Sequence, residues 1–264
     1  HIWKVMALAY IPPTIAGLVL CYRGKYLWGG VVTAFFLALQ IMSNHVQMSY
    51  YFLPVMGLMA LAYLIRAVKE KKLAGWCKAT GMLIVAGLIG VSINSSNLYH
   101  TYQYSKESMR GKSELVHEGP KAEQTSSGLD RDYITQWSYG IGETLSLFVP
   151  NVRGGASVPL SENKAAMEKA NPMYNGLYSQ ITQYFGDQPM TSGPVYVGAF
   201  VMALFILGCF IVKGPMKWAL LGATLFSILL SWGKNFMPLT DFFIDYIPMY
   251  NKFRAVSSIL VIAE

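Results

Sequence analysis

The sequence predicts an all-α polytopic membrane protein with about seven transmembrane helices and a large external insertion of mixed or loop-rich structure. Three observations lead there. Hydrophobic residues make up 53% of the 264 positions and charged residues only 13%, where a typical globular domain carries about 25% charged residues. The apolar residues gather into runs close to the roughly 20 residues that a helix needs to cross a bilayer. Ten of the fourteen acidic residues fall between positions 94 and 193, so the flanking stretches are almost free of them.

The expected organisation is therefore residues 1–93 as spans one to four, residues 94–193 as an extracytoplasmic loop domain, and residues 194–264 as spans five to seven. Val5 to Tyr22 is the first span. Its Pro12-Pro13 pair is tolerable in a membrane helix whose neighbours satisfy the freed carbonyls. Tyr26 to Met42 is the second, with Gly29 and Gly30 permitting close helix approach. The short Ser43-Asn44-His45 connection leads into the third, Val46 to Ile65. After a basic segment the fourth runs from about Trp76 to Ile93, with Lys78 able to snorkel. Beyond the hydrophilic block come Val195 to Val212, a tight loop at residues 213–217, Trp218 to Trp232, and a seventh run from Phe253 to Ala263. The chain opens at His1 without a Met and ends inside an apolar run, and is expected to be an internal fragment of a longer protein.

Lysine and arginine set the orientation. Alternate connections place Arg23, Lys25, Arg66, Lys69, Lys71, Lys72, Lys78, Lys213 and Lys217 on one side, offset only by Glu70. That side is expected to be cytoplasmic. The opposite side then receives His1 to Lys4, the Asn44-His45 turn, the hydrophilic block and the loop from Gly233 to Lys252. A net charge of +7 raises nucleic acid as a partner, but the cations sit at the ends of apolar runs rather than on one face. No nucleic-acid binding is expected. Cys21, Cys77 and Cys209 lie in or beside apolar runs and form no disulfide framework.

Within the hydrophilic block, Ile134, Trp137, Ile141, Leu145 and Phe148 recur at steps of three and four. This spacing predicts an amphipathic helix, started by Asp130 or Asp132 as N-cap and stopped by Pro150. Its apolar stripe suits either the membrane surface or the rest of the loop domain. Residues 111–128 read as a polar loop, and Asn94-Ser95-Ser96 matches a glycosylation acceptor tripeptide.

No Gly-rich phosphate loop, Cys/His zinc spacing or Gly-x-Ser-x-Gly elbow is present, and no cofactor or metal is expected. The candidate site is a set of polar side chains expected at the outer ends of the spans. His1 and Lys4 are one helical turn apart. Asn44 and His45 form the turn between spans two and three, with Gln47, Tyr50 and Tyr51 just below, and Arg254 opens span seven. Such cations and amides suit a phosphate or pyrophosphate head group, because an Arg fork grips two oxygens together. The same residues also serve as interface anchors, a turn cap and an aromatic belt. Of the carboxylates, Asp130, Asp132 and Glu143 are nearest the amphipathic stretch, and capping accounts for both aspartates. The catalytic residues are unknown at this level.

The motifs Asn44-His45-Val46-Gln47-Met48-Ser49-Tyr50-Tyr51, Trp137-Ser138-Tyr139-Gly140, Tyr184-Phe185-Gly186-Asp187-Gln188-Pro189 and Asn251-Lys252-Phe253-Arg254-Ala255, with the order of spans, resemble the YfhO family of bacterial membrane proteins in its Bacteroidetes form. That resemblance implies an integral-membrane glycosyltransferase of the C type in the bacterial inner membrane. Its donor would be a polyprenyl-phosphate-linked sugar, its recipient a cell-envelope acceptor on the outer face, and membrane lipids its surroundings. The catalytic carboxylate is then expected in a loop upstream of His1. The motifs carry a lipid-phosphate and sugar-binding role onto Asn44, His45, Gln47 and Arg254, with His1 and Lys4 as additions. A transporter or flippase of a lipid-linked glycan needs a similar lipid groove, and a non-enzymatic membrane scaffold needs none of these residues. Both stay open beside the enzyme.

Overall fold

A computed structural model describes residues 2–108, 110–111, 128–193 and 195–264. The chain divides into two compact units. One comprises His1–Gly128, Lys213–Phe226 and Ala263, and the other Leu129–Val212, Ser227–Ile262 and Glu264. Residues 112–127, most of the expected polar loop, lie outside the described residues.

The first unit is helical. Its elements are α1 (Ile2–Ala9), α2 (Ile11–Tyr22), α3 (Tyr26–Met42), α4 (Val46–Lys69), α5 (Leu73–Ser92) and α6 (Ser95–Lys106). Pro12 and Pro13 occupy the first turn of α2, where the missing N–H groups have no intrahelical partner to lose. The Tyr10 carbonyl there accepts from the Thr14 amide at 3.2 Å and the Thr14 hydroxyl at 2.7 Å, so the polar groups at the join are satisfied within the chain. Among the described residues three stretches are long and apolar enough to cross a membrane: Ile2–Tyr22, Val46–Lys69 and Leu73–Ser92. Helix α3, with 17 residues, spans about 26 Å at 1.5 Å per residue, short of the roughly 30 Å hydrocarbon layer.

Small residues let these helices meet. A Cβ on Gly17 would sit 2.7 Å from the backbone nitrogen of Thr33, and one on Gly29 2.6 Å from that of Cys21. Helices α2 and α3 therefore cross backbone to backbone, as the glycines of the second run predict. Ala79, Ala86 and Gly90 are the buried positions of α5, and Gly90 faces the Ala34 carbonyl of α3. The buried face of α4 is Met48, Tyr51, Val55, Met59 and Tyr63, at helical steps of three and four. Away from these seams large apolar side chains stay exposed, among them Leu27, Trp28, Leu53, Leu61 and Leu88. Contiguous apolar surface of that kind is what a lipid-facing helix presents. Asn94, first residue of the acceptor-like tripeptide, is buried, and its amide donates to the carbonyls of Ala38 at 3.0 Å and Gly90 at 3.3 Å. It is a helix-end tie and not an accessible glycosylation acceptor.

The second unit is built from short pieces. These include α7 (Arg131–Thr135), an antiparallel pair of β1 (Gly154–Pro159) and β2 (Thr182–Tyr184), α8 (Lys164–Met167) and α9 (Asn175–Tyr178), and then α10 (Ala199–Ile211). Helix α11 (Pro215–Ser231), which belongs to the first unit up to Phe226 and to the second from Ser227, leads into a 3-10 turn at Gly233–Phe236 and α12 (Met237–Tyr246). The expected amphipathic helix over 134–148 does not form as one element. Asp130 caps α7 as predicted, its carboxylate accepting from the Asp132 amide at 2.8 Å, but the helix stops at Thr135 and a separate 3-10 turn covers Gly142–Leu147. Ile134 is buried while Ile141 and Leu145 are more than half exposed, so the stripe is not one face. Gly140 and Gly142 break it. The loop expected over 233–252 contains α12, and the run from Phe253 to Ala263 is a 3-10 stretch, Val256–Ile262.

Loops are stitched together by backbone bonds. The Tyr139 amide donates to the Ser231 carbonyl at 2.8 Å, Ser257 to Trp137 at 3.1 Å, and Leu129 to Asn251 at 2.9 Å. Gly233 lies at the centre of this stitching with φ +47°. A Cβ there would stand 2.1 Å from Ser138 Oγ and 2.5 Å from Val256 Cγ2. Gly233→Ala is expected to destabilise the second unit by about 2–4 kcal/mol, from overpacking and left-handed backbone strain together. Gly222→Ala, whose Cβ would meet only Leu58 Cδ1 at 3.9 Å, should be nearly neutral. Thermal melting of both variants in micelles checks this, and equal melting temperatures would refute the packing described.

Candidate functional site

The α3–α4 turn is shaped by buried polar residues. Gln40, 1% exposed, donates from its amide to Ser49 Oγ at 3.1 Å, and Ser43 Oγ donates to the Gln40 carbonyl at 2.6 Å. This ties the end of α3 to the start of α4. The chain reverses at Asn44, φ +55°, a left-handed conformation that Asn tolerates better than most residues. Asn44 is exposed, and His45 follows as the residue capping α4. Gln47 donates to the Tyr51 phenol at 3.0 Å.

His45 has an unusual environment. Its Nδ1 is buried and has no hydrogen-bond partner among the described residues. Burial, reinforced by the positive charge of Lys4, holds the His45 imidazole below the ordinary histidine range, against the opposing effect of the residue's own backbone. At neutral pH it is therefore an uncharged ring able to donate or accept. The structure thus places Lys4, Asn44, His45 and Gln47 in one unit, with Lys4 acting electrically on His45. His1 lies outside the described residues.

Arg254 belongs to the second unit. Its guanidinium donates to the Tyr133 phenol at 2.5 Å and lies over that ring, 5.4 Å from the centroid. The loop presenting it contains Met249 at φ +67° and Ala255 at φ +60°. Non-glycine residues rarely adopt such angles, and they persist only where surrounding packing enforces them. Here Tyr250, Phe253 and Val256 are buried and hold the loop, while Arg254 stays exposed.

The remaining motif residues converge on a carboxylate that sequence reasoning left without a role. Glu143 is 3% exposed. One oxygen accepts from the Gly140 amide at 2.6 Å and the Asp187 amide at 3.3 Å, and the other accepts from the Tyr184 phenol at 2.5 Å. Burial, with the bond to Glu143 adding to it, pushes the Tyr184 phenol up, so it stays protonated and donates. Glycine is required at both ends of the clasp: a Cβ on Gly186 would stand 2.1 Å from Glu143 Oε1, and one on Gly140 2.8 Å from Asp187 Oδ2. Asp187 itself is exposed. Asn235 fixes it, donating to Asp187 Oδ2 and to the Tyr139 carbonyl, both at 3.0 Å, while Lys234 Nζ donates to the Asp187 backbone oxygen at 3.1 Å. Sequence reading had no signal for Lys234 and Asn235, because only the fold sets them against position 187.

Chemically, Glu143 is a structural clasp with both oxygens occupied, while Asp187 is an oriented, solvent-facing acceptor beside a cation. Among the described residues no group of three or more His, Cys, Asp or Glu is placed to hold a metal.

Two outcomes are expected. Glu143→Gln removes the charge to which the Gly140 and Asp187 amides and the Tyr184 phenol donate and should cost about 1–3 kcal/mol, read as a lower melting temperature of the second unit. A melting temperature unchanged by the substitution would contradict the clasp. For His45 the folded pKa lies below the unfolded value, so its contribution to stability is present above the ordinary histidine pKa and lost as pH falls through the folded one. Native protein should lose more melting temperature than His45→Gln between pH 7.5 and a pH of about 5. Parallel slopes would contradict the assignment.

Comparison with protein-family models, with curated proteins and with solved structures finds no match to this chain.

Proposed function

We propose that the chain is part of an integral-membrane glycosyltransferase of the C type, in which the turn carrying Asn44 and His45 binds the phosphate-linked end of a polyprenyl-phosphate sugar. The observation carrying this reading is the buried, unpartnered Nδ1 of His45 beside the charge of Lys4. A neutral imidazole donates to a phosphate oxygen or exchanges a hydrogen bond with a sugar hydroxyl, while Lys4 supplies the charge. Asn44 and Gln47 add amides at the same turn. Exposed apolar flanks on α3 and α4 suit a prenyl tail.

Arg254, propped on Tyr133 in the second unit, is in this proposal a phosphate-directed cation by itself. Asp187 with Lys234 is the part of the hydrophilic block that meets an acceptor hydroxyl. The Lys/Arg asymmetry puts the block and the Asn44-His45 turn outside the inner membrane. Seven crossings require α3, α10, the bent α11–α12 pair and the 256–262 stretch to be membrane-embedded as well.

The test supplies membranes containing the full-length protein with labelled polyprenyl-phosphate sugars and follows label into envelope polymer. His45→Ala and Arg254→Ala are each expected to lower transfer about ten- to a hundred-fold, the range for losing one charge-assisted or buried hydrogen bond, with protein levels unchanged. Undiminished transfer in both variants would refute the assigned site. One observation favours a transporter: Pro215–Ser231 and Gly233–Tyr246 form a bent pair with an angle of 106°, and transporters build binding sites from broken helices. Movement of an intact lipid-linked glycan between leaflets, without transfer, would select that reading.

A further inference from the structure

At the lysine- and arginine-rich ends of the spans, the first unit holds a cavity of about 480 Å³. That volume falls within the range of small-molecule sites, about 300–1,000 Å³. The turns between α2 and α3 and between α4 and α5 border it, with residues 213–216 before and at the start of α11. Gly24 at φ +88°, Lys71 at φ +56° and Gly214 at φ +115° make these reversals tight, which brings the charged residues round a common space.

Its charge is one-sided. Arg23, Arg66, Lys72 and Lys213 line it against the single carboxylate of Glu70, four positive charges against one negative. Glu70 is already taken: Arg66 Nε lies 2.6 Å from one of its oxygens and Lys72 Nζ 3.3 Å from the other. Among the described residues the side chains of Arg23 and Lys213 have no hydrogen bond or ion pair. The inner wall is aromatic and fixed. Tyr22 and Tyr63 stack with centroids 4.6 Å apart, the Tyr22 phenol is hydrogen-bonded to the Thr80 hydroxyl at 3.1 Å, and the Trp76 indole donates to the Ala60 carbonyl at 3.0 Å. Two cations without protein counter-charges over a rigid aromatic wall make an anion site, and the planar Arg fork suits phosphate oxygens.

We infer that this cavity binds a phosphate ester, with Arg23 and Lys213 as its direct ligands and the Arg66–Glu70–Lys72 cluster as its rim. The chemistry is shared by an anionic phospholipid head group and by a soluble phosphate. A basic pocket between helix ends on the positively charged side of a membrane protein is a head-group site, and the exposed Leu27 and Trp28 on α3 beside it offer apolar surface to acyl chains. The site is separate from the Asn44-His45 turn, at the other end of α3, and does not rest on the proposed transferase activity.

Native mass spectrometry of the full-length protein, in micelles doped with phosphatidylglycerol or with phosphatidylcholine, tests it. Native protein should retain phosphatidylglycerol over phosphatidylcholine. Arg23→Gln with Lys213→Gln should weaken retention about twenty-five-fold, roughly five-fold per cation. Lys25→Gln with Lys69→Gln removes the same charge from the α2–α3 turn and the end of α4, outside the cavity, and should leave retention unchanged. If the first pair does not fold, each single variant is expected to show the five-fold loss. Displacement of the lipid by inorganic phosphate, sensitive to the same pair, would identify a soluble phosphate as occupant. Equal loss in both pairs, loss in neither, or equal retention of the two lipids would overturn the site.

Discussion

A backbone surrounded by hydrocarbon has only protein groups to hydrogen-bond with, and the apolar helices of the first unit are built as this constraint requires. Regular helix meets it along α2, α3, α4 and α5. Where helices start, stop or turn, short polar side chains take over the freed carbonyls: Thr14 on Tyr10, Ser43 on Gln40, Asn94 on Ala38 and Gly90. With polar groups satisfied internally, the outward faces are free to be apolar. Attraction between helices then comes from close packing, which is why glycines occupy the α2–α3 and α3–α5 crossings.

The second unit answers a different constraint. It has short elements and little periodic structure, so its loops are held by specific bonds rather than by ladders. Glu143 is the clearest case, since a buried carboxylate is stable only when its lone pairs are satisfied, and two backbone amides and a phenol satisfy them. Those partners come from positions 140, 184 and 187, so one side chain brings together two segments far apart in sequence. The Arg131 fork does the same between α7 and α12, reaching Asp241 and, at 2.7 Å, Asp245. Such partly exposed ion pairs fix geometry more than they add stability.

These two ways of building divide the chemical opportunities. In the helical unit, the buried side-chain atoms left without a partner among the described residues are Thr33 Oγ1 within α3 and His45 Nδ1 at one end of it, and the side chains of Arg23 and Lys213 stand without partners at the other end. In the looped unit, most polar groups are consumed by the fold, and what faces solvent is what the fold holds still: Asp187 on Asn235, and Arg254 on Tyr133. A carboxylate or cation held in one orientation loses less freedom on meeting a ligand than a mobile one.

Helical runs, their approximate limits, the close-approach glycines and the Asp130 cap were legible in the sequence, because they depend on local composition and on spacing along a helix. The motif around Asn44 and His45 was legible as a turn for the same reason. What only the tertiary structure decided depends on neighbours distant in the chain. The stripe from Ile134 to Phe148 has helical spacing, yet Gly140 and Gly142 interrupt it and Glu143 makes better bonds to the 184–187 turn than a continuous helix would allow. The last run, mostly apolar, is a 3-10 stretch whose Val256, Ile259 and Leu260 are buried and whose Ser257 amide donates to the Trp137 carbonyl, since hydropathy registers that a residue leaves water but not whether lipid or protein receives it. Arg254 and Glu143 show the limit most directly. Their types were readable, but the one propped on Tyr133 and the other closed within a clasp differ only through contacts that the fold supplies.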